Sequence, residues 1–174
     1  HSALTGSYSV EDSSALLSNS GLHFADNVQS GYLNFVTYNA DGTVSTSAII
    51  SFDATTDSLD DVVADINAAF GGELTASVDA DGQLQLDATS DLTFEIAGDS
   101  TNLMAALGVN TFFAGTDAST IEVDSAVASD ISFINAGNVG DDNLVASGSN
   151  GVATAIAGLS SETITVDGKE TTLS

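Results

Sequence analysis

The residues that could do chemistry in this chain are almost all carboxylates. Of its 174 residues, 25 are Asp or Glu and one, Lys169, is basic, so the formal charge is −24 at pH 7. Calcium is the ligand to consider for the runs Asp79-Ala80-Asp81-Gly82, Asp57-Ser58-Leu59-Asp60-Asp61 and Gly140-Asp141-Asp142-Asn143. The ion takes roughly six to eight oxygens, often from alternating loop positions. The run from Asp79 to Gly82 departs from the EF-hand spacing, because its Gly comes early and no Glu closes it. The same acids have structural roles open to them. Asp81-Gly82 suits a hairpin turn, Asp57 a helix cap, and Asp60 and Asp61 the first turn of a helix, where the dipole favours anions. The spacing favours these roles, so Asp79, Asp81, Asp141 and Asp142 stand as calcium candidates only, and no cofactor is expected.

Other chemistry has little to draw on. With no Cys there is no disulfide, no zinc–thiolate site and no thiol nucleophile. His1 and Ser2 read as a vector-derived remnant. His23, in Gly21-Leu22-His23-Phe24, reads as packed among apolar neighbours rather than catalytic, and no Ser sits in a nucleophile-elbow context. Lys169, between Gly168 and Glu170, reads as an exposed turn residue. Carboxylate pairs abound, but sugar clefts are commonly lined with Trp or Tyr, and this chain has no Trp and 3 Tyr. No glycine pattern for phosphate or dinucleotide binding follows a strand. An enzyme is not expected. The charge also argues against nucleic acid and anionic membranes, which are bound through Lys and Arg. No apolar run approaches the ~20 residues that span a bilayer. Yet the apolar fraction of 43% is that of a folded body, not an acidic tail.

The elements that would position these residues follow from periodicity. Residues 1–30 read as an irregular lead-in. Tyr32 to Tyr38, a turn at Asp41-Gly42, and Val44, Thr46, Ala48, Ile50 and Phe52 at period two predict a β-hairpin. Leu59, Val62, Val63, Ile66 and Phe70 then recur at helical spacing, which predicts an amphipathic helix capped at Thr56, Asp57 or Ser58 and ended by Gly71-Gly72. Leu74, Ala76 and Val78, a turn at Asp81-Gly82, and Leu84, Leu86 and Ala88 predict a second hairpin. Its apolar face is expected to receive the helix. A strand through Leu92, Phe94 and Ile96 and a short helix over Leu103–Leu107, capped by Asp99 or Ser100, complete a module over residues 31–108. Residues 109–174 read as a second, smaller mixed subdomain, with a short strand near 120–123, a helix over about 150–159 and a last hairpin around Asp167-Gly168. Phe112 and Phe113 are expected to anchor the junction of the subdomains. The fold class is thus α+β and β-rich, with antiparallel hairpins packed on a short amphipathic helix.

At this level the chain resembles a known family. Ser58 to Ala68, with Ile66-Asn67 at its centre, followed by Leu74-Thr75-Ala76-Ser77 and Asp81-Gly82-Gln83-Leu84, resembles the Ile-Asn ("IN") module of bacterial flagellins and hook-associated proteins. Leu107-Gly108-Val109-Asn110-Thr111-Phe112-Phe113-Ala114-Gly115-Thr116-Asp117-Ala118, then Ile121-Glu122-Val123, is similar to the middle of the hook-associated protein 1 family, as is the patch around Asp141 and Asp142. The resemblance implies Leu59, Val63, Ile66, Asn67, Phe70, Asn110, Phe112 and Phe113 as motif residues. It implies a structural adaptor outside the cell, at the hook–filament junction of the flagellum, reached by type III export. Its partners would be hook protein, a second hook-associated protein and further copies of the intact chain. The heptad-patterned ends of that family are not seen here, so the fragment is expected to be monomeric. The other reading is an extracellular acidic adhesin or calcium-binding module.

Overall fold

The computed structural model describes residues 1–129, 150–166 and 168–172. The chain divides into two compact units, His1–Asp130 and Ile131–Ser174. The first is built on two three-stranded antiparallel sheets. In one, β2 (Gly31–Tyr38) lies between β3 (Val44–Phe52) and β6 (Thr93–Asp99). In the other, β5 (Gln83–Ala88) lies between β1 (Ala3–Ser9) and β4 (Leu74–Val78). The expected β-rich α+β class and both hairpins are present.

Helix α1 (Leu59–Phe70) forms for local reasons. Ser58 caps it: its hydroxyl accepts from the Asp61 amide while Asp61 Oδ2 accepts from the Ser58 amide at 2.9 Å, so orphan donors are satisfied in both directions. Gly71 ends it in the left-handed conformation, at φ 56°. Leu59, Val62, Ile66 and Phe70 are buried, and Val63 lies half-buried at the edge of the stripe. They share one core with Leu33, Phe35, Ile50 and Phe52 of the first hairpin and Leu74, Leu84 and Leu86 of the second. The Phe35 and Phe70 rings meet edge-on at 6.4 Å.

Two connections are not local. β6 follows β5 in the chain but pairs with β2, Phe35 facing Ile96 and Thr37 facing Phe94. The N-terminus is not an irregular lead-in: β1 is a strand, with Ala3 opposite Asp87 and Leu4 opposite Leu86. Its inward positions are Leu4, Gly6 and Tyr8, and Gly6 is there because a Cβ would lie 2.6 Å from the Leu107 carbonyl oxygen. A glycine where an apolar residue would mark the face hides the strand from a reading by periodicity. Just before β1, the main chain joins the sheets. Phe94 N–H donates to the His1 carbonyl at 2.7 Å and Ala88 N–H to that of Ser2 at 2.8 Å.

After β6, the short helix α2 (Leu103–Ala106) is entered through Asn102 at φ 63°. Asp99 does reach its first turn, accepting from the Met104 amide at 3.0 Å. A small ribbon follows, β7 (Phe113–Ala114) paired with β8 (Glu122–Val123), and then α3 (Ser125–Ser129). The first unit continues past residue 108, as far as Asp130. The Tyr8 hydroxyl donates to the Gly115 carbonyl at 2.7 Å and Ser7 Oγ to Asp124 Oδ2 at 3.4 Å, so β1 holds the ribbon. In the second unit, α4 (Gly151–Gly158) precedes a hairpin of β9 (Thr163–Val166) and β10 (Lys169–Thr172), as expected there.

Candidate functional site

The residue with the most specific geometry is Asn67. Its Nδ2 donates to the Ala76 carbonyl at 2.9 Å, and its Oδ1 accepts from the Ala76 amide at 2.8 Å. A side-chain amide has the same donor–acceptor pair as a peptide unit, so Asn67 binds β4 as a neighbouring strand would. β4 is the outer strand of its sheet, and its middle is thereby closed to further pairing. Helical position decides this. Ile66, fully buried, points into the core, and the next residue around the helix falls at the strand edge. The Ile-Asn pair is therefore one residue for burial and one for docking.

Glu73, just after α1, is a second tie that sequence reasoning missed. One carboxylate oxygen accepts from the buried Thr37 hydroxyl at 2.8 Å, the other from Ser45 Oγ at 3.0 Å. The Thr37 hydroxyl in turn accepts from the Thr46 amide at 3.0 Å. Glu73 thus fastens the start of β4 to the first hairpin. The Thr37 hydroxyl, with smaller help from Thr46 and Ser45, holds its carboxyl below its ordinary value. Nothing in the sequence near Glu73 marks it, because its partners lie in another hairpin.

Several other acids hold turns. Asp12, Asp41, Asp53, Asp99 and Asp117 each accept, through one oxygen, from both the amide and the hydroxyl of the Ser or Thr two residues on. The hydroxyl distances run from 2.6 Å at Asp41 to 2.7 Å at Asp12. This is the Asx turn with a hydroxyl added. Those hydroxyls are the main reason the carboxyls of Asp12, Asp41, Asp53 and Asp117 lie below the ordinary carboxylate value. Ser58 does the same to Asp61.

The calcium candidates divide. Asp79 is engaged: Oδ1 accepts from the amides of Asp81 and Gln83, each at 2.9 Å, and Oδ2 from Gln85 Nε2 at 3.0 Å. These bonds close the hairpin turn, in which Gly82 has φ 80°. Asp81 is exposed on the turn and, with Glu11 and Asp79, lines an open groove. Among the described residues, no group of three or more acids or histidines is placed to share a metal ion. Asp141 and Asp142 lie outside the described residues.

The second motif run is only partly a core element. Leu107 and Val109 are buried, and Gly108, at φ 68°, lets β1 approach: a Cβ there would sit 2.9 Å from that of Ser7. Asn110 takes a left-handed conformation, at φ 55°, which a short polar side chain tolerates. Phe112 and Phe113 are not the buried anchors expected of them. They are 42% and 56% exposed, and meet edge to face at 4.8 Å. The ribbon has too little apolar surface behind it to cover both rings. His23 is exposed, with its ring edge-on to Phe24 at 4.6 Å, and Lys169 is exposed at the start of β10.

Comparison with known proteins singles out the region around Asn67. Residues 33–90 match the family described as the flagellin hook IN motif, from β2 to the end of the second hairpin. Curated protein sequences give no match. Among solved structures, the chain is similar to the D2-D3 domains of the flagellar cap protein FliD from Serratia marcescens, at 20% identity and a TM-score of 0.39, covering 61% of this chain and 52% of that one. The same domains of FliD from Escherichia coli match at 21% identity and a TM-score of 0.34, over 70% of this chain and 58% of that one. The chain therefore spans between half and three-fifths of the domains it matches. The stretch that carries the Ile66–Asn67 dock is the stretch that matches the flagellin hook IN motif.

Proposed function

We propose that this chain is a structural part of the bacterial flagellum, a surface-exposed piece of a hook-associated protein that adapts hook to filament. The observation that carries the reading is the Ile66-Asn67 pair, buried on one side and bonded to the edge of β4 on the other, within the stretch that matches the flagellin hook IN motif. The run from Leu107 to Ala118, which resembles the hook-associated protein 1 family, supports the junction position within that group. A static role of this kind needs rigid elements rather than reactive groups. Glu73, Asp79 and the Asx-turn aspartates serve such a role, locking turns and tying hairpins together, and the reading is of a protein that is not an enzyme. It places the chain outside the cell, in contact with hook protein, a second hook-associated protein and copies of its own parent polypeptide.

Immunogold electron microscopy of intact flagella, with antibodies raised against this chain, tests the proposal. Label confined to the hook–filament junction is the expected result. Label along the filament or at its tip overturns the junction assignment, and absence of label from flagella overturns the flagellar reading altogether.

A further inference from the structure

The β7–β8 ribbon carries an apolar face that the first unit does not use. Phe113 stands opposite Val123 in the register, and Ile121 immediately precedes β8, two residues before Val123. Phe113, Val123 and Ile121 are 56%, 42% and 60% exposed, and the Phe112 ring leans against Phe113. Isolated apolar residues on a surface are ordinary, but neighbouring exposed apolar side chains make a candidate contact site. The ribbon is also held in place. The Tyr8 hydroxyl fixes Gly115, and Asp117 Oδ1 accepts from the amides of Ser119 and Thr120 across the turn. A preorganised aromatic face loses little conformational freedom on binding.

Charge selects the occupant. Asp117 is exposed on the turn that joins the two strands, on a chain of net charge −24. A second copy would bring the same acids, no Arg, and Lys169 as its one basic side chain. Like charges brought together across an interface cost several kcal/mol. We infer that the ribbon docks a different polypeptide, through an apolar patch rimmed by Lys or Arg that receives Phe113, Ile121 and Val123 and pairs with Asp117. This site lies outside residues 33–90 and does not rest on the flagellar reading.

The test uses the whole chain and synthetic amphipathic helices. One probe is built from Leu and Lys, a second from Leu and Glu, and a third from Ser and Lys at the charge of the first. Affinities are read by fluorescence anisotropy at about 150 mM NaCl, where unfocused surface attraction is screened. The Leu/Lys helix is expected to bind, with amide shifts confined to residues 111–124 of the isotope-labelled protein. Phe113→Ser with Ile121→Ser should weaken it by about tenfold or more, as loss of central apolar anchors does. The Leu/Glu helix should not bind, and the Ser/Lys helix should bind weakly and ignore the ribbon variants. The proposal is overturned if the Leu/Lys helix fails to bind, if its shifts spread over the acidic surface, or if the Leu/Glu helix binds as well. A concentration-dependent dimer in sedimentation that Phe113→Ser abolishes overturns it in favour of a second copy. Both substituted residues are exposed, and the shift map on the unsubstituted chain decides the matter even if a variant misfolds.

Discussion

The α1–β4 dock and the β7–β8 ribbon treat similar side chains in opposite ways. In the first, Leu59, Val62, Ile66 and Phe70 are enclosed, and the polar edge beside them is closed by Asn67. In the second, Phe112, Phe113, Ile121 and Val123 remain at the surface although the backbone beneath them is well fastened. Apolar character is similar in both. What differs is the area available to cover it: a helix lying on two hairpins in one case, a pair of two-residue strands in the other. An apolar run thus marks a demand for burial, and the geometry of the neighbours decides whether the same chain meets it.

The largest break in this comparison comes from the dock. Ile66→Asp places a charge in a fully enclosed site and should cost about 4 kcal/mol or more, enough to abolish the cooperative urea transition followed by circular dichroism. Asn67→Ala is milder. It removes the pair of bonds to Ala76 and leaves an amide and a carbonyl open at the strand edge, at a cost of about 1–3 kcal/mol in the same transition. The variant should also self-associate more readily on sizing at high concentration, since the edge of β4 is no longer closed. If Asn67→Ala matches the parent in both respects, the dock is incidental.

The turn carboxylates give a pH test. Asp12, Asp41, Asp53 and Asp117 have lowered values in the folded state, so the unfolded chain takes up protons first. Their stabilisation is complete above the ordinary carboxylate range and is lost as pH falls through the lowered values. Acid also relieves the general repulsion of the acidic surface, so the reading is the difference between parent and a variant with all four changed to Asn. The parent's lead in urea midpoint should be largest at neutral pH and shrink in acid. A constant difference would show that the turns do not need the charge. The smallest effect belongs to the ribbon. Phe112→Ala should cost about 1 kcal/mol, well under the 3–5 kcal/mol of a buried Phe, because the ring is half in water already. A larger loss would mean that the ribbon is part of the core.

What could be read in the sequence was what repeats locally. The period of Leu59, Val62, Ile66 and Phe70 predicts α1, and the Asp-Gly turns predict both hairpins, since neighbouring residues decide these features. β1 was hidden because Gly6 interrupts its inward face for the sake of the Leu107 carbonyl, about a hundred residues away. The pairing of β6 with β2 and the tie from Glu73 to Thr37 were equally invisible, being set by tertiary placement. The Asp–hydroxyl turns follow a visible spacing, but spacing alone does not define them. Asp87-Ala88-Thr89 has it too, yet Asp87 and Ala88 lie within β5. At the candidate site, Ile66 was legible from periodicity and Asn67 only from resemblance, because the strand edge it binds cannot be located without the fold. The exposure of Phe112 and Phe113 ran against the expectation, as no local pattern reports how much surface lies behind a short ribbon.

The pairing of β1 with β5 has a consequence in time. β1 pairs with residues near Asp87, and the segment before it bonds to Phe94. A chain delivered with its N-terminus leading would therefore present β1 well before the strand it joins. Until residues 83–88 arrive, β1 has no strand to join, whereas the hairpin of β2 and β3 and the cap of α1 can form from near neighbours alone. Local hairpins and helix thus come before the long-range pairing, and β1 acts as a closing stitch of its sheet.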